Sequence, residues 1–171
     1  MLFRSPADCG PACIALSQDI QGQTFDYPEE FFKERVHTIR RPRPDEFQIK
    51  EAAEKIKSSK NPIIISGGGV FYSDAMEELS QFAIKHNIPV TQTVMGYSTM
   101  KRDHSHYAGQ IGGLGGKNTN TLAKETDLAI AVGTKLADFT TGSWANFENE
   151  NFKLVSINVS RYDANKHLEI G

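Results

Sequence analysis

The sequence predicts an α/β fold, a doubly wound parallel sheet with helices on both faces. Short apolar stretches of strand length alternate with amphipathic helical patterns between residues 44 and 159. The two clearest stretches are "PIIIS" at residues 62–66 and "DLAIAVG" at residues 127–133. Both are apolar on both faces, as the strands of a parallel sheet are. Right-handed crossovers between such strands place helices on both sides of the sheet.

The first part of the chain does not share this alternation. Residues 11–20 predict one buried strand, because apolar residues run together from 12 to 16. Residues 21–43 have no clear period and mix prolines, arginines and aromatic residues, a composition typical of a linker. We therefore expect residues 1–20 to be the last strand of a preceding domain, residues 21–43 a linker, and residues 44–171 the α/β domain.

Within that domain the elements are predicted in order. Asp45 is the expected N-cap of a helix whose apolar residues recur at helical spacing over residues 49–56. A second helix is predicted over residues 76–83 by the same spacing. Further strands are expected at residues 88–94, at "HYAGQIG" and at residues 153–159, with a short helix at "NTNTLAKET". No helix is predicted after the last strand, so we expect the domain to be cut short at its C-terminal end.

Composition and charge argue against several classes of partner. The formal net charge is -2, so no overall positive field attracts nucleic acid. No stretch approaches the roughly 20 apolar residues that span a bilayer, and the first residues lack the apolar run of a signal peptide. Cys9 and Cys13 are too few for a four-ligand zinc site and are expected to be reduced thiols. We expect a cytoplasmic protein that binds neither nucleic acid nor membrane.

Glycine-rich loops are predicted at the end of the sheet where ligands bind. In a doubly wound fold this is the edge beyond the carboxyl ends of the strands, where "SGGGV", "GQIGGLGG" and "VGTKLADFTTGSW" fall in this chain. Glycines let a backbone approach a ligand closely and direct N–H groups toward an anion. A nucleotide or cofactor phosphate is therefore chemically reasonable. The candidate contacts in these loops are Gly67, Gly68, Gly69, Gly133 and Thr134.

The same glycines are also consistent with tight turns that bind no ligand. "GGGVFYS" lacks the last glycine of G-x-G-x-x-G, because Tyr72 occupies that position, and no G-x-x-x-x-G-K-[ST] phosphate loop is present. His104 and His106 lie on one face if their segment is extended, but two histidines rarely hold a metal ion. No catalytic residue is predicted in this chain.

Five motifs occur in an order that resembles a known family. These motifs are "RRPRPD", "NPIIISGGGV", "IPVTQTVMGYSTMKRDHSHYAGQIGGLGG", "DLAIAVGTKLADFTTG" and "LVSINVSRYDANK". Together they resemble the central, Rossmann-like domain of thiamine-diphosphate-dependent enzymes, from residue 40 to the C-terminus. Acetolactate synthases and pyruvate oxidases are members. In that family "PACIALSQDIQG" corresponds to the end of the preceding pyrimidine-binding domain.

The resemblance implies cofactors and partners for a longer enzyme. Thiamine diphosphate and Mg would be held by flanking pyrimidine- and diphosphate-binding domains. Those domains carry the family's cofactor-activating glutamate and its Gly-Asp-Gly motif, and no Gly-Asp-Gly occurs in this sequence. The resemblance therefore implies a homo-oligomeric parent enzyme that cleaves a carbon–carbon bond, with no activity in this chain alone.

A finer likeness concerns the linker and one loop. "CGPACIALSQDIQGQTFDYPEEFF", "HTIRRP" and "VGTKLADFTTGSW" are most similar to the ring-opening hydrolases of myo-inositol catabolism within the family. The alternatives are an acetolactate synthase-like enzyme, a 2-oxo acid decarboxylase, or a stand-alone nucleotide-binding module.

Some members of the family bind FAD in this domain. Their loop after the fourth strand usually carries an arginine, as in Gly-x-Arg, where this chain has Lys135. Lysine lacks the planar fork of arginine. Their next strand ends in Asp-x-Asp, where this chain has Asn158 and Ser160. Lys135 and Asn158 complete the set of candidate cofactor contacts, and both departures count against FAD.

Overall fold

The structure is a computed structural model that describes residues 13–36 and 41–167. The chain divides into two units, one ending at Pro42 and the other beginning at Arg43. The second unit contains the sheet and all the candidate contacts described above.

The first unit contains two short helices and no strand among its described residues. Helix α1 spans Gln18–Gln21, and a 3₁₀ turn spans Glu29–Phe32. The strand predicted for residues 11–20 is therefore wrong over its described part, where residues 13–17 have no regular structure; residues 11 and 12 lie outside the described residues. An isolated apolar stretch has no neighbouring strand to pair its backbone groups, so apolar character alone does not make it a strand.

The second unit is built on a five-stranded parallel sheet, as predicted. The strands are β1 (Pro62–Ser66), β2 (Val90–Gln92), β3 (Tyr107–Gln110), β4 (Leu128–Val132) and β5 (Lys153–Ile157). Their order across the sheet is β3-β2-β1-β4-β5, and every neighbouring pair is parallel. The chain thus reverses its winding direction between β1 and β4, and this is the point where ligands of doubly wound sheets bind.

Helices surround this sheet. They are α2 (Glu46–Ser58), α3 (Gly68–Tyr72), α4 (Met76–His86), α5 (Lys117–Glu125), α6 (Asp138–Thr141) and α7 (Arg161–Asn165). The predicted N-cap is confirmed, because the Asp45 side chain accepts a hydrogen bond from the Gln48 N–H and the Gln48 side chain accepts one from the Asp45 N–H. The expectation that no helix follows the last strand is wrong: α7 forms there, and Ser160 caps it by accepting from the Asp163 N–H.

Two hydrophobic clusters cover the two faces of the sheet. Alternate residues of β1 point in opposite directions, so Ile64 packs with Leu79 of α4 on one face. Ile65 packs with Ala123 of α5 and Leu136 on the other face. The predicted arrangement of helices on both faces is therefore confirmed. β2 is shorter than predicted, and the residues after it form a 3₁₀ turn at Val94–Gly96.

One carboxylate fixes the amino-terminal end of the central strands. The carboxylate of Asp127 accepts hydrogen bonds from the Ser59 hydroxyl, from the Lys60 N–H at 2.7 Å and from the Asn61 N–H at 3.0 Å. Partial burial disfavours the charged carboxylate, but these hydrogen bonds outweigh it and hold the pKa of Asp127 below its ordinary value. These hydrogen bonds hold the loop before β1 against Asp127, the residue that directly precedes β4.

We predict that Asp127→Asn lowers the free energy of unfolding by about 1–3 kcal/mol near pH 7, because the variant has one acceptor oxygen and no charge. The folded-state pKa is depressed, so the contribution is present above the ordinary carboxyl pKa of roughly 4 and is lost as the pH falls through the folded value. Urea unfolding at neutral and acidic pH measures this difference. Asp103→Asn, at an exposed aspartate, is the control. An equal effect of the two variants would contradict the prediction.

Candidate functional site

The loops after β1 and β4 meet backbone to backbone. The Gly67 N–H donates to the Val132 carbonyl at 2.9 Å, and the Gly69 N–H donates to the Gly133 carbonyl at 2.9 Å. A Cβ atom on Gly67 would lie 2.4 Å from the Gly133 oxygen, and one on Gly69 would lie 2.6 Å from the Gly133 Cα. Gly133 also has a φ of 60°, which a side chain disfavours. These glycines therefore allow two loops to pack closely.

The loop after β2 packs against the same place. A Cβ atom on Gly96 would lie 2.1 Å from the Ser66 oxygen at the end of β1. One on Gly68 would lie 3.0 Å from the Met95 oxygen. Gly68 is thus adjacent to the 3₁₀ turn after β2, so the three loops after β1, β2 and β4 converge over the centre of the sheet.

Buried polar side chains fill the space between the ends of β1 and β2. The Ser66 hydroxyl donates to the Thr99 hydroxyl at 2.6 Å, and the Thr99 hydroxyl donates to the Gly96 carbonyl at 2.7 Å. The Gln92 amide nitrogen donates to the Met100 carbonyl at 2.9 Å. Ser66, Gln92 and Thr99 are each 1% exposed or less. Because buried polar groups need partners, this network fixes the loop of residues 93–100 to the strand ends.

Sequence reasoning missed this network. The sequence feature that could have indicated the network is the run of polar residues in "TQTVMGYST", which directly follows the apolar residue at the start of β2. A polar residue in a strand buried on both faces needs a buried partner, and here Gln92 finds it eight residues further along the chain, at Met100.

Thr134 and Asn158 join the ends of β4 and β5. The Asn158 amide nitrogen donates to the Thr134 carbonyl at 2.9 Å, and its amide oxygen accepts from the Ser160 N–H at 2.9 Å. The Thr134 hydroxyl accepts from the Leu136 N–H at 3.2 Å. Both ends of the Asn158 amide are therefore engaged within the protein. The Lys135 side chain is exposed to solvent.

The structure thus brings most of the candidate contacts together at the reversal point of the sheet. Gly67, Gly69, Gly133 and Thr134 adjoin one another, with a Cβ atom on Gly67 placed 2.6 Å from the Thr134 Cβ. The amides that would face a phosphate at Gly67 and Gly69 donate to carbonyls instead. In this conformation the Gly67 and Gly69 amides are not available to the diphosphate of FAD. The sequence left a bound nucleotide and ligand-free turns as alternatives, and the paired amides favour the turns.

The predicted pair of histidines lies elsewhere and belongs to a hydrogen-bond network. His104 Nε2 pairs with the Ser80 hydroxyl at 2.9 Å, and His106 Nε2 pairs with the Asn87 amide oxygen at 3.1 Å. His104 Nδ1 accepts from the His106 N–H at 3.1 Å. An open cavity of about 500 Å³ lies beside His106, next to Pro89 and Tyr107 at the amino ends of β2 and β3.

Among residues 13–36 and 41–167, no group of three or more histidine, cysteine, aspartate or glutamate side chains is placed to hold a metal ion. No helix of this part of the chain is long and apolar enough to cross a bilayer.

Comparison with known proteins identifies both a family and close relatives. The family described as "Thiamine pyrophosphate enzyme, central domain" matches residues 49–171. The chain is 48% identical over 165 residues to the 3D-(3,5/4)-trihydroxycyclohexane-1,2-dione hydrolase of Clostridium botulinum (strain Eklund 17B / Type B), which is 96% of this chain and 26% of that protein. It is 47% identical over the same shares to the hydrolase of that name from Clostridium perfringens (strain 13 / Type A). The chain thus spans about a quarter of the length of these relatives.

We predict that Gly67→Ala lowers the free energy of unfolding by about 2–4 kcal/mol, because its Cβ atom would collide with the Gly133 backbone, which cannot move as a side chain can. Gly113→Ala is the matched control, since its Cβ atom would meet only the Phe139 ring at 3.6 Å. Denaturant unfolding of both variants measures the difference. A Gly67→Ala protein as stable as the control would contradict the close packing of the two loops.

We also predict that FAD, ADP and NAD do not raise the melting temperature of this chain by more than about 1 °C at millimolar concentration, because a ligand stabilises only a fold that binds it. The physical reason is that the Gly67 and Gly69 amides are already paired. A thermal-shift titration measures the effect. A shift that grows with ligand concentration would show that the loops separate to admit a nucleotide.

Proposed function

The chain belongs to the thiamine pyrophosphate enzyme family as a central domain, and we propose that it is part of a longer enzyme that opens the ring of a trihydroxycyclohexane-1,2-dione. The observation that supports this substrate is the 48% identity over 165 residues to a hydrolase named for it. The similarity runs through 96% of this chain, so it includes the linker segment as well as the α/β domain.

The chemistry of the proposed reaction is carried by a cofactor held outside this chain. When bound in the longer enzyme, thiamine diphosphate would supply a nucleophilic carbon and an electron sink for carbon–carbon bond cleavage. The described residues of this chain do not fit it or its Mg ion, because they include no metal-ligand cluster and the sequence has no Gly-Asp-Gly. We place both in flanking pyrimidine- and diphosphate-binding domains.

The proposed role of this chain is structural. The carboxyl ends of its strands are covered by the Gly67–Gly133 contact and by the Ser66–Thr99 network, so loops that hold ligands in other doubly wound folds pack on one another here. A central domain of this kind would space and orient the two catalytic domains. In this proposal residues 1–20 end the pyrimidine-binding domain, residues 21–43 link it to the central domain, and residues 44–171 form the central domain of a cytoplasmic homo-oligomer.

The test is a pair of assays on two proteins. The polypeptide that contains this chain together with its flanking domains is expected to consume the trihydroxycyclohexanedione when thiamine diphosphate and Mg are present. This chain by itself is expected to give no turnover and no thermal shift with the same cofactor, because it holds none of the cofactor's ligands. Pyruvate is offered in parallel as the alternative substrate. Turnover of pyruvate without turnover of the dione would replace the proposed substrate with a 2-oxo acid.

A further inference from the structure

Five large apolar side chains are exposed beside the place where the loops after β1 and β2 meet. They lie on α3 and on or directly after the 3₁₀ turn that follows β2, and we call them the carboxyl-edge patch. Their exposed fractions are 57% for Phe71, 67% for Tyr72, 47% for Val94, 72% for Met95 and 52% for Tyr97.

The two segments that carry the patch are adjacent. α3 packs against the 3₁₀ turn, and a Cβ atom on Gly68 would lie 3.0 Å from the Met95 oxygen. The Phe71 and Tyr72 rings lie 6.0 Å apart, edge to face. The patch is therefore one surface formed by two segments.

The backbone beneath the patch is fixed. The Gly96 N–H donates to the Thr93 hydroxyl at 3.0 Å, and Gly96 itself is buried against the Ser66 carbonyl. Val70, which lies beside Phe71 in α3, is buried in the core. Each segment thus already has a buried residue that anchors it, and the exposed side chains are additional to the core. A surface held in one conformation before binding loses little entropy when it docks.

The chemical character of the patch suits a protein partner. Phenylalanine, tyrosine and methionine are enriched at the centres of protein interfaces, as is arginine. Here the Arg102 guanidinium lies 5.4 Å from the centre of the Tyr97 ring and donates to the Tyr97 hydroxyl at 3.2 Å. The complementary surface would be apolar, with a carboxylate at its margin to meet Arg102.

We propose that the carboxyl-edge patch docks onto the flanking polypeptide of the same longer chain. This inference rests on the proposed function. The matched region is 26% of the relatives' length, so about three quarters of such a protein lies outside it and is covalently attached. Attachment gives the flanking polypeptide a high effective concentration, so a patch of modest size is enough to hold it. The reversal point of the sheet then serves as a protein contact, where related folds bind nucleotides.

Amide hydrogen exchange tests directly whether the flanking polypeptide covers the carboxyl-edge patch. Residues 68–72 and 94–97 are compared in this chain and in the protein that includes the flanking domains. We expect their amides to exchange at least about tenfold more slowly in the longer protein, since docking excludes water and suppresses local opening. Equal exchange in both proteins would overturn the proposal. Slow exchange in this chain alone that depends on its concentration would assign the patch to a second copy, and would also overturn it.

Introducing negative charge at the patch gives an independent test in the longer protein. The variant Phe71→Glu/Met95→Glu is expected to restore fast exchange in residues 68–72 and 94–97 and to lower dione turnover by about tenfold or more, because buried unpaired carboxylates oppose docking. Ile84→Glu is the matched control, since Ile84 on α4 is 56% exposed and lies outside the patch. Melting curves of the variants in this chain alone confirm that each still folds.

The outcomes separate the two proposals. If the longer protein turns over the dione and the patch variant behaves as Ile84→Glu does, the docking inference fails and the proposed function stands. If residues 68–72 and 94–97 are protected but the dione is not consumed, the docking inference stands and the proposed substrate fails.

Discussion

The close approach of the loop after β1 to the loop after β4 organises the rest of the carboxyl edge. Two hydrogen bonds, from Gly67 to Val132 and from Gly69 to Gly133, hold the loops together over the centre of the sheet. Because Gly67, Gly69 and Gly133 have no side chains, the backbones reach a separation that a Cβ atom would prevent. The position of α3 follows from this contact, and the exposed surface on α3 follows from the position of the helix.

The sheet is held at both ends by polar groups as well as by its two apolar faces. At the amino end, the Asp127 carboxylate accepts hydrogen bonds from the backbone of the turn before β1. At the carboxyl end, Ser66, Gln92 and Thr99 tie the loop after β2 to the strand ends. Apolar packing does not dictate loop positions, whereas buried hydrogen bonds have strict geometry. The polar groups therefore fix the loops, while the hydrophobic clusters hold the strands and helices.

Much of this architecture could be predicted from local patterns. The strands of residues 62–66 and 127–133 and the cap at Asp45 were evident because each depends on a few neighbouring residues. The strand expected at residues 11–20 failed because a strand needs a partner that no local pattern reveals. Helix α3 was missed because its two leading glycines are poor helix formers. At the candidate site, the sequence indicated where backbones approach closely, but only the structure shows that the glycine loops approach each other. The Gln92 network joins residues through the fold and has no local signature.

The engaged amide of Asn158 has a consequence for which residues this position tolerates. Its nitrogen donates to the Thr134 carbonyl, and its oxygen accepts from the Ser160 N–H. An aspartate at this position would place a negatively charged carboxylate oxygen against the Thr134 carbonyl oxygen. An Asn158→Asp substitution would therefore destabilise the β4–β5 connection. The Gly67 and Gly69 amides would likewise have to leave their carbonyl partners before they could bind a phosphate. The close packing of the two loops by itself accounts for glycine at positions 67, 69 and 133, with no bound ligand required.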